Sequence, residues 1–246
     1  MRNRVGMAAL LLLALGCPMV LAQIGPRYAV DIKAEVKGAA QPGRVELAGP
    51  GLALIRYQGL AILAVGADAA AYSAEAVRHW PAADLLVMTP ASAGRYGGLA
   101  PLSALHGLHV VLPEPTAGPT VPPMPVGTGP RWYPMHTWDA LHLRKGRTHL
   151  RVTAMPGQPG TAHVAGFVLE LGNGRASYRL YWSCEPLADA EWRALPDRLP
   201  GADLALAPLQ QALQLLPLRR SALAPVPAPV PVALTPAGYA FTAIRR

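Results

Sequence analysis

The stretch "DLLVMTPASAGRYGGL", residues 84–99, decides how the chain is read. Leu85 to Met88 is an unbroken apolar run of strand length, the pattern of a strand buried on both faces. Thr89-Pro90 ends it, and Gly97-Gly98 marks a turn before Leu99. Further apolar segments lie on both sides of it in the sequence. Upstream, "LALIRYQGLAILAVG" (residues 52–66) gives two apolar segments meeting at Gln58-Gly59, a hairpin pattern. Between them and the key stretch, Ser73 is placed to cap a short helix through Trp80, with Glu75 in the first turn and Pro81 as the stop. Downstream, His109 to Leu112 forms another strand, followed by the loop "PEPTAGPTVPPMPVGTGP" (residues 113–130).

The second half repeats the β pattern. "HLRVTAM" alternates Leu150, Val152 and Ala154 with His149, Arg151 and Thr153, predicting a half-buried strand. "HVAGFVLELGNGRASYRLYWS" predicts two strands joined through Gly172-Asn173-Gly174. Asp189 is expected to cap a helix containing Trp192, and "DLALAPL" (residues 203–209) to form a buried strand. "APVPAPVPV" (residues 224–232) is polyproline-like and excluded from a central strand. Strands flanking helices in both halves predict an α/β (α+β) chain with two sheets between helical layers.

Composition agrees with a folded, loop-rich domain. Of 246 residues, 52% are hydrophobic and 15% charged, with 24 glycines and 27 prolines. Residues 1–23, "MRNRVGMAALLLLALGCPMVLAQ", carry Arg2 and Arg4 before an apolar run ending at Ala22, the form of a secretory signal peptide over 1–22. The expected product is exported, periplasmic or secreted. A competing reading takes "ALGC" as a lipid-attachment box and leaves a lipid anchor at Cys17. Residues 23–246 read as one domain, closed by a Pro-rich C-terminal segment over 217–246. Signal cleavage leaves Cys184 alone, so no internal disulfide is expected. It also removes two of the eight net positive charges. The remainder is scattered arginine, densest in "HLRKGRTHLR" (residues 142–151), which predicts a solvated surface hairpin. No nucleic-acid partner is expected, because a longer basic face interleaved with aromatics is lacking.

The order of elements resembles the metallo-β-lactamase superfamily, an αββα sandwich of metal-dependent hydrolases, from about Leu52 to about Leu209. In that family a strand like "DLLVM" leads into Thr-His-x-His-x-Asp-His and a Gly-Gly-Leu turn. Here Thr89 and Gly97-Gly98-Leu99 stand, but the four ligand positions hold Pro90, Ser92, Gly94 and Arg95. The family's Pro-Gly-x-His turn is matched by "MPGQPG", which puts Pro159 in place of the histidine. Its Ser-Gly-Asp-Thr is matched by "WSCEP", which puts Glu185 at the metal-bridging aspartate. A weaker match places Ala233 at the final ligand.

A catalytic zinc needs three protein donors and an open position for water. Proline and glycine donate nothing from their side chains, Ser92 is a weak neutral donor, and the Arg95 guanidinium repels a cation. The resemblance therefore implies an MBL-fold protein without its metal or hydrolase activity: a pseudoenzyme whose old cleft binds an unknown small molecule or protein. The vestigial cleft comprises Thr89, Pro90, Ser92, Gly94, Arg95, Pro159, His163 and Glu185. No cofactor is expected. An Arg95–Glu185 ion pair would fill the place of the second metal. The alternative is an active hydrolase with a rebuilt site, in which His163 slides into the vacant histidine position beside Glu185. "HGLH" (residues 106–109) has metal-site spacing but no acidic neighbour. Trp132, Tyr133 and Trp138 together offer a candidate aromatic binding surface.

Overall fold

The hairpin expected at Gln58-Gly59 joins β3 (Leu52–Tyr57) to β4 (Leu60–Val65). Gln58 and Gly59 have φ of 46° and 81°, the two successive positive values that let a two-residue turn follow the twist of its strands. The structure is a computed structural model and describes residues 26–34, 42–66, 73–89, 102, 105–114, 129–157, 162–209, 212–218 and 230–246. Before this hairpin come β1 (Tyr28–Ile32) and β2 (Gly43–Gly49). After it come α1 (Ala74–Arg78), β5 (Leu85–Met88), β6 (His109–Pro113) and β7 (Arg131–Met135). Next are β8 (Ala140–Lys145), β9 (Thr148–Pro156), β10 (Val164–Gly172) and β11 (Ser177–Ser183). The chain closes with α2 (Asp189–Arg198), β12 (Leu204–Leu209), β13 (Ala212–Pro217), β14 (Val232–Ala233) and β15 (Tyr239–Phe241).

These strands form two sheets. One, called the first sheet here, runs β1-β8-β9-β10-β11-β12-β13-β14; the second runs β15-β2-β3-β4-β5-β6-β7. β5 lies between β4 and β6, parallel to both, with Leu86 and Val87 fully buried, as its uninterrupted apolar run requires. The inner faces of the sheets share one core in which Ile55, Ile62 and Val87 meet Val152, Phe167, Leu169 and Trp182. On the outer side of the second sheet, Leu54, Leu63, Leu86 and Val110 pack with Val77 of α1 and with Trp80. On the outer side of the first, Tyr181, Ala205 and Leu216 pack against Trp192 and Leu195 of α2. Helix, sheet, sheet and helix follow in that order, the αββα layering that the resemblance implied.

The helix starts differ from each other. Ser73 accepts a hydrogen bond from the Ala76 amide at 3.0 Å, as expected. In α2, Asp189 is not the cap: Ala188 holds that position, and the Glu191 carboxylate accepts from the Ala188 amide at 2.9 Å. Glutamate at the third helical position reaches back to the chain, so an apolar cap is tolerated.

The C-terminal segment ties both sheets. β14 forms the edge of the first sheet against β13, and β15 the edge of the second against β2. A two-residue edge strand is the most that a proline-rich approach permits. Among the described residues, no helix is long and apolar enough to cross a membrane.

Candidate functional site

The candidate cleft is defined by strand direction. β10 is antiparallel to both β9 and β11, so the last residues of β9 and β11 lie at one end of the first sheet, with Val164 beside Pro156 and Gly166 beside Ser183. β12 is parallel to β11 and finishes at the same end. The second sheet is tied in at the opposite end. Lys145, at the β8–β9 turn, donates to both Asp84 carboxylate oxygens at 2.7 and 2.9 Å, just before β5 begins. Beside it, the Thr148 hydroxyl donates to the Gln58 carbonyl at 3.0 Å. Starting from this shared end, β5 and β9 carry Thr89 and Pro156 to the far end, where β11 delivers Ser183. Three separated segments of the sequence therefore leave the sandwich together.

Thr89 closes β5 and is buried. Pro90, Ser92, Gly94, Arg95 and Pro159 lie outside the described residues, as does the expected Arg95–Glu185 pair. Glu185 is described, and its carboxylate meets His163. His163 Nε2 sits 2.9 Å from Glu185 Oε1, with both side chains about half exposed.

The backbone explains this meeting. Register slips between Val164 and Gly166, a bulge that re-aims the chain just after His163. Gly166 is required there, because a Cβ would lie 2.5 Å from the Trp182 carbonyl and from the Tyr181 hydroxyl. Across the bulge, the Cys184 amide donates to the Ala165 carbonyl at 2.8 Å, and the Ser183 hydroxyl donates to the Glu185 carbonyl at 2.7 Å. The turn is thereby tied down, and the Glu185 side chain faces outward.

Cys184 offers no nucleophile in this setting. It is fully buried, and burial, aided by Glu185, pushes its thiol well above the usual range. Burial likewise pushes Tyr181 up to about 12, so its hydroxyl stays protonated.

The other candidates disperse. Within "HGLH", His106 is exposed in a turn, whereas His109 is buried in β6 with Nδ1 2.9 Å from the Tyr133 hydroxyl. The tryptophan surface is likewise not shared. Trp132 and Tyr133 are neighbours in β7 and face opposite sides of the sheet, Trp132 joining the outer core and Tyr133 the inner one. Only Trp138 projects, 66% exposed, from a turn with φ 71°. Its amide donates to the Ala154 carbonyl at 2.8 Å, so it stands near the end of β9, at the rim of the candidate cleft. Sequence reasoning missed what holds this turn. Arg27 bonds to Asp139 at 2.5 Å and to Glu114 at 3.2 Å, and Asp139 accepts from the His136 amide at 2.7 Å.

Among the described residues, no three histidine, cysteine, aspartate or glutamate side chains are placed to hold a metal ion. Among the described residues, the donors at these strand ends are one imidazole, His163, and one carboxylate, Glu185. That set does not fit a catalytic zinc.

No family model matches this chain, and no curated protein matches it. Among solved structures, it is similar to CmlA, a diiron beta-hydroxylase from Streptomyces venezuelae, at 14% identity and a TM-score of 0.39 over 67% of this chain. The chain spans about a third of that protein's length, 34%. It is also similar to the metallo-beta-lactamase fold protein YhfI from Bacillus subtilis, at 11% identity and a TM-score of 0.38, covering 67% of this chain and 70% of that one.

Proposed function

We propose that this chain is an exported metallo-β-lactamase-like protein that works as a binding or scaffold protein rather than as a metallohydrolase. The observation that supports it most is the donor set at the ends of β5, β9 and β11. Prolines, a glycine, a serine and an arginine stand where the family places metal ligands, and Glu185 is engaged by His163. Metal hydrolysis asks the protein for several electron-pair donors and an open position for water. A site that supplies one imidazole and one carboxylate, already bonded to each other, lacks the donors that the reaction needs. Trp138 on the rim supplies the large, rigid contact surface that a binding site uses as an anchor.

A second reading draws on the same contact. The His163–Glu185 pair brings together the two residues that a rebuilt metal site would use, and an active hydrolase remains the competing class. One experiment separates the two. The purified protein is assayed for bound metal and screened for esterase, lactamase and phosphodiesterase turnover, with and without chelator. The proposal expects substoichiometric metal and no chelator-sensitive turnover. Stoichiometric zinc or iron, with turnover abolished by chelation, would overturn it. Analysis of the mature N-terminus by mass spectrometry tests export, and distinguishes cleavage after Ala22 from lipidation at Cys17.

A further inference from the structure

Among the described residues, half of the first sheet has no helix on its outer side. α2 packs over Tyr181, Ala205, Ala207 and Leu216, toward the β11–β13 side. On β8 and β9 the outward positions are polar instead: His142 and Arg144 on one strand, His149 and Arg151 on the other. Register sets these side chains in rows. His142 is opposite Arg151, Arg151 is opposite Glu170 of β10, and Arg144 is opposite His149. Two further groups wall this face. The turn after β10 carries Arg175, and the backbone pairing of Ser177 with Ile244 brings Arg246 alongside. The open groove between them has a volume of about 480 Å³, within the range of small-molecule sites.

Its charges are unequally matched. Asp31 is held by Arg144 at 2.7 Å and Glu170 by Arg179 at 3.3 Å, while Arg246 is bonded to the buried Asp203. Arg151 and Arg175 have no carboxylate partner among the described residues, and both line the groove. Two fixed guanidinium groups facing one hollow, with the nearby carboxylates already paired, are complementary to a ligand bearing more than one negative charge. Among the described residues no tryptophan, tyrosine or phenylalanine lines the groove, and its rings are the imidazoles of His142 and His149, so it lacks the broad stacking platform that single-stranded nucleic acid uses.

We propose that this groove, on the outer face of the first sheet and apart from the candidate cleft, binds a small polyanion through Arg151 and Arg175. The ligand's charged groups are phosphates or carboxylates, and the probes distinguish these. The full chain is titrated calorimetrically with pyrophosphate and with citrate, and with oligothymidylates of increasing length. Saturable one-to-one binding of at least one small anion is expected, identifying the preferred group. Arg151→Gln with Arg175→Gln is expected to weaken it by at least about tenfold. Glu170→Gln removes a negative charge facing the groove and is expected to tighten binding by about threefold. That single variant decides the question if the double variant fails to fold. The proposal is overturned by absent or non-saturable binding, by an affinity unmoved in both variants, or by oligothymidylate affinity that rises with length and exceeds that of either anion.

Discussion

Trp138 holds a bulky side chain at φ 71°, where a Cβ is crowded by its own backbone and only glycine is at ease. Its indole is largely exposed, so burial does not offset that strain. Trp138→Gly should therefore stabilise the fold by about 0.5–1 kcal/mol, the relief of about 1–2 kcal/mol of left-handed strain less the entropy that glycine adds to the unfolded chain. Urea unfolding checks this, and a destabilised variant would mean that the indole packs in solution. His109 makes the second prediction at this scale. Burial, then the charge of Arg131, lowers its pKa below the ordinary 6.5, with Asp84 opposing. The folded state thus favours the neutral ring, and the unfolded state takes up a proton first. The resulting stability is complete above 6.5 and is lost as pH falls through the lowered value. Melting temperature should drop from pH 8 toward pH 5, and His109→Asn should flatten that drop. His142, lowered by burial and by Arg151, adds a slope of the same sign that the variant leaves in place.

The bulge at the start of β10 makes the clearest prediction about an element. Gly166→Ala would push a methyl group to 2.5 Å from the Trp182 carbonyl, a backbone atom that cannot swing aside. The cost should be about 1–3 kcal/mol, as for other forced overpacking. The His163–Glu185 contact should loosen with it, visible as altered chemical shifts of the His163 ring by NMR at fixed pH; unchanged shifts would uncouple bulge from pair. This contact also marks where the sequence stopped being legible. β5, the Gln58-Gly59 and Gly172–Gly174 hairpins and the Ser73 cap were readable because period, turn chemistry and capping are local. From sequence, His163 and Glu185 are both cleft residues, Glu185 pairs with Arg95, which lies outside the described residues, and His163 and Glu185 come together only in the rebuilt-site alternative. Their meeting depends on the pairing of Gly166 with Ser183 and on a one-residue slip, which no local pattern encodes. β7 escaped notice for a related reason. Pro134 argues against a strand, and it is accepted because β7 is the last strand of its sheet and leaves one flank unpaired. β1 and β15 are short edges whose partners lie about a hundred or more residues away, so their pairing is settled by the assembled sheet.

For the whole molecule, residues 230–246 matter more than their proline-rich approach suggests. They cover one edge of each sheet, and Phe241 stacks between Tyr57 and Tyr178, with ring centroids 6.0 and 4.2 Å away. Removing 230–246 should leave two strand edges open and a hole in the shared core. Gel filtration should show association, and thermal unfolding should lose cooperativity. A truncated monomer melting within about 4 °C of the full chain would refute this. The arrangement also bears on how the protein is made. β15 must find β2 across nearly two hundred residues, and β1 must find β8 across more than a hundred, so both sheets depend on pairings of high sequence separation. Folding of this kind is late and slow, and leaves apolar strands uncovered during synthesis. Until β15 reaches β2 and β1 reaches β8, those apolar strands stay open to wrong partners.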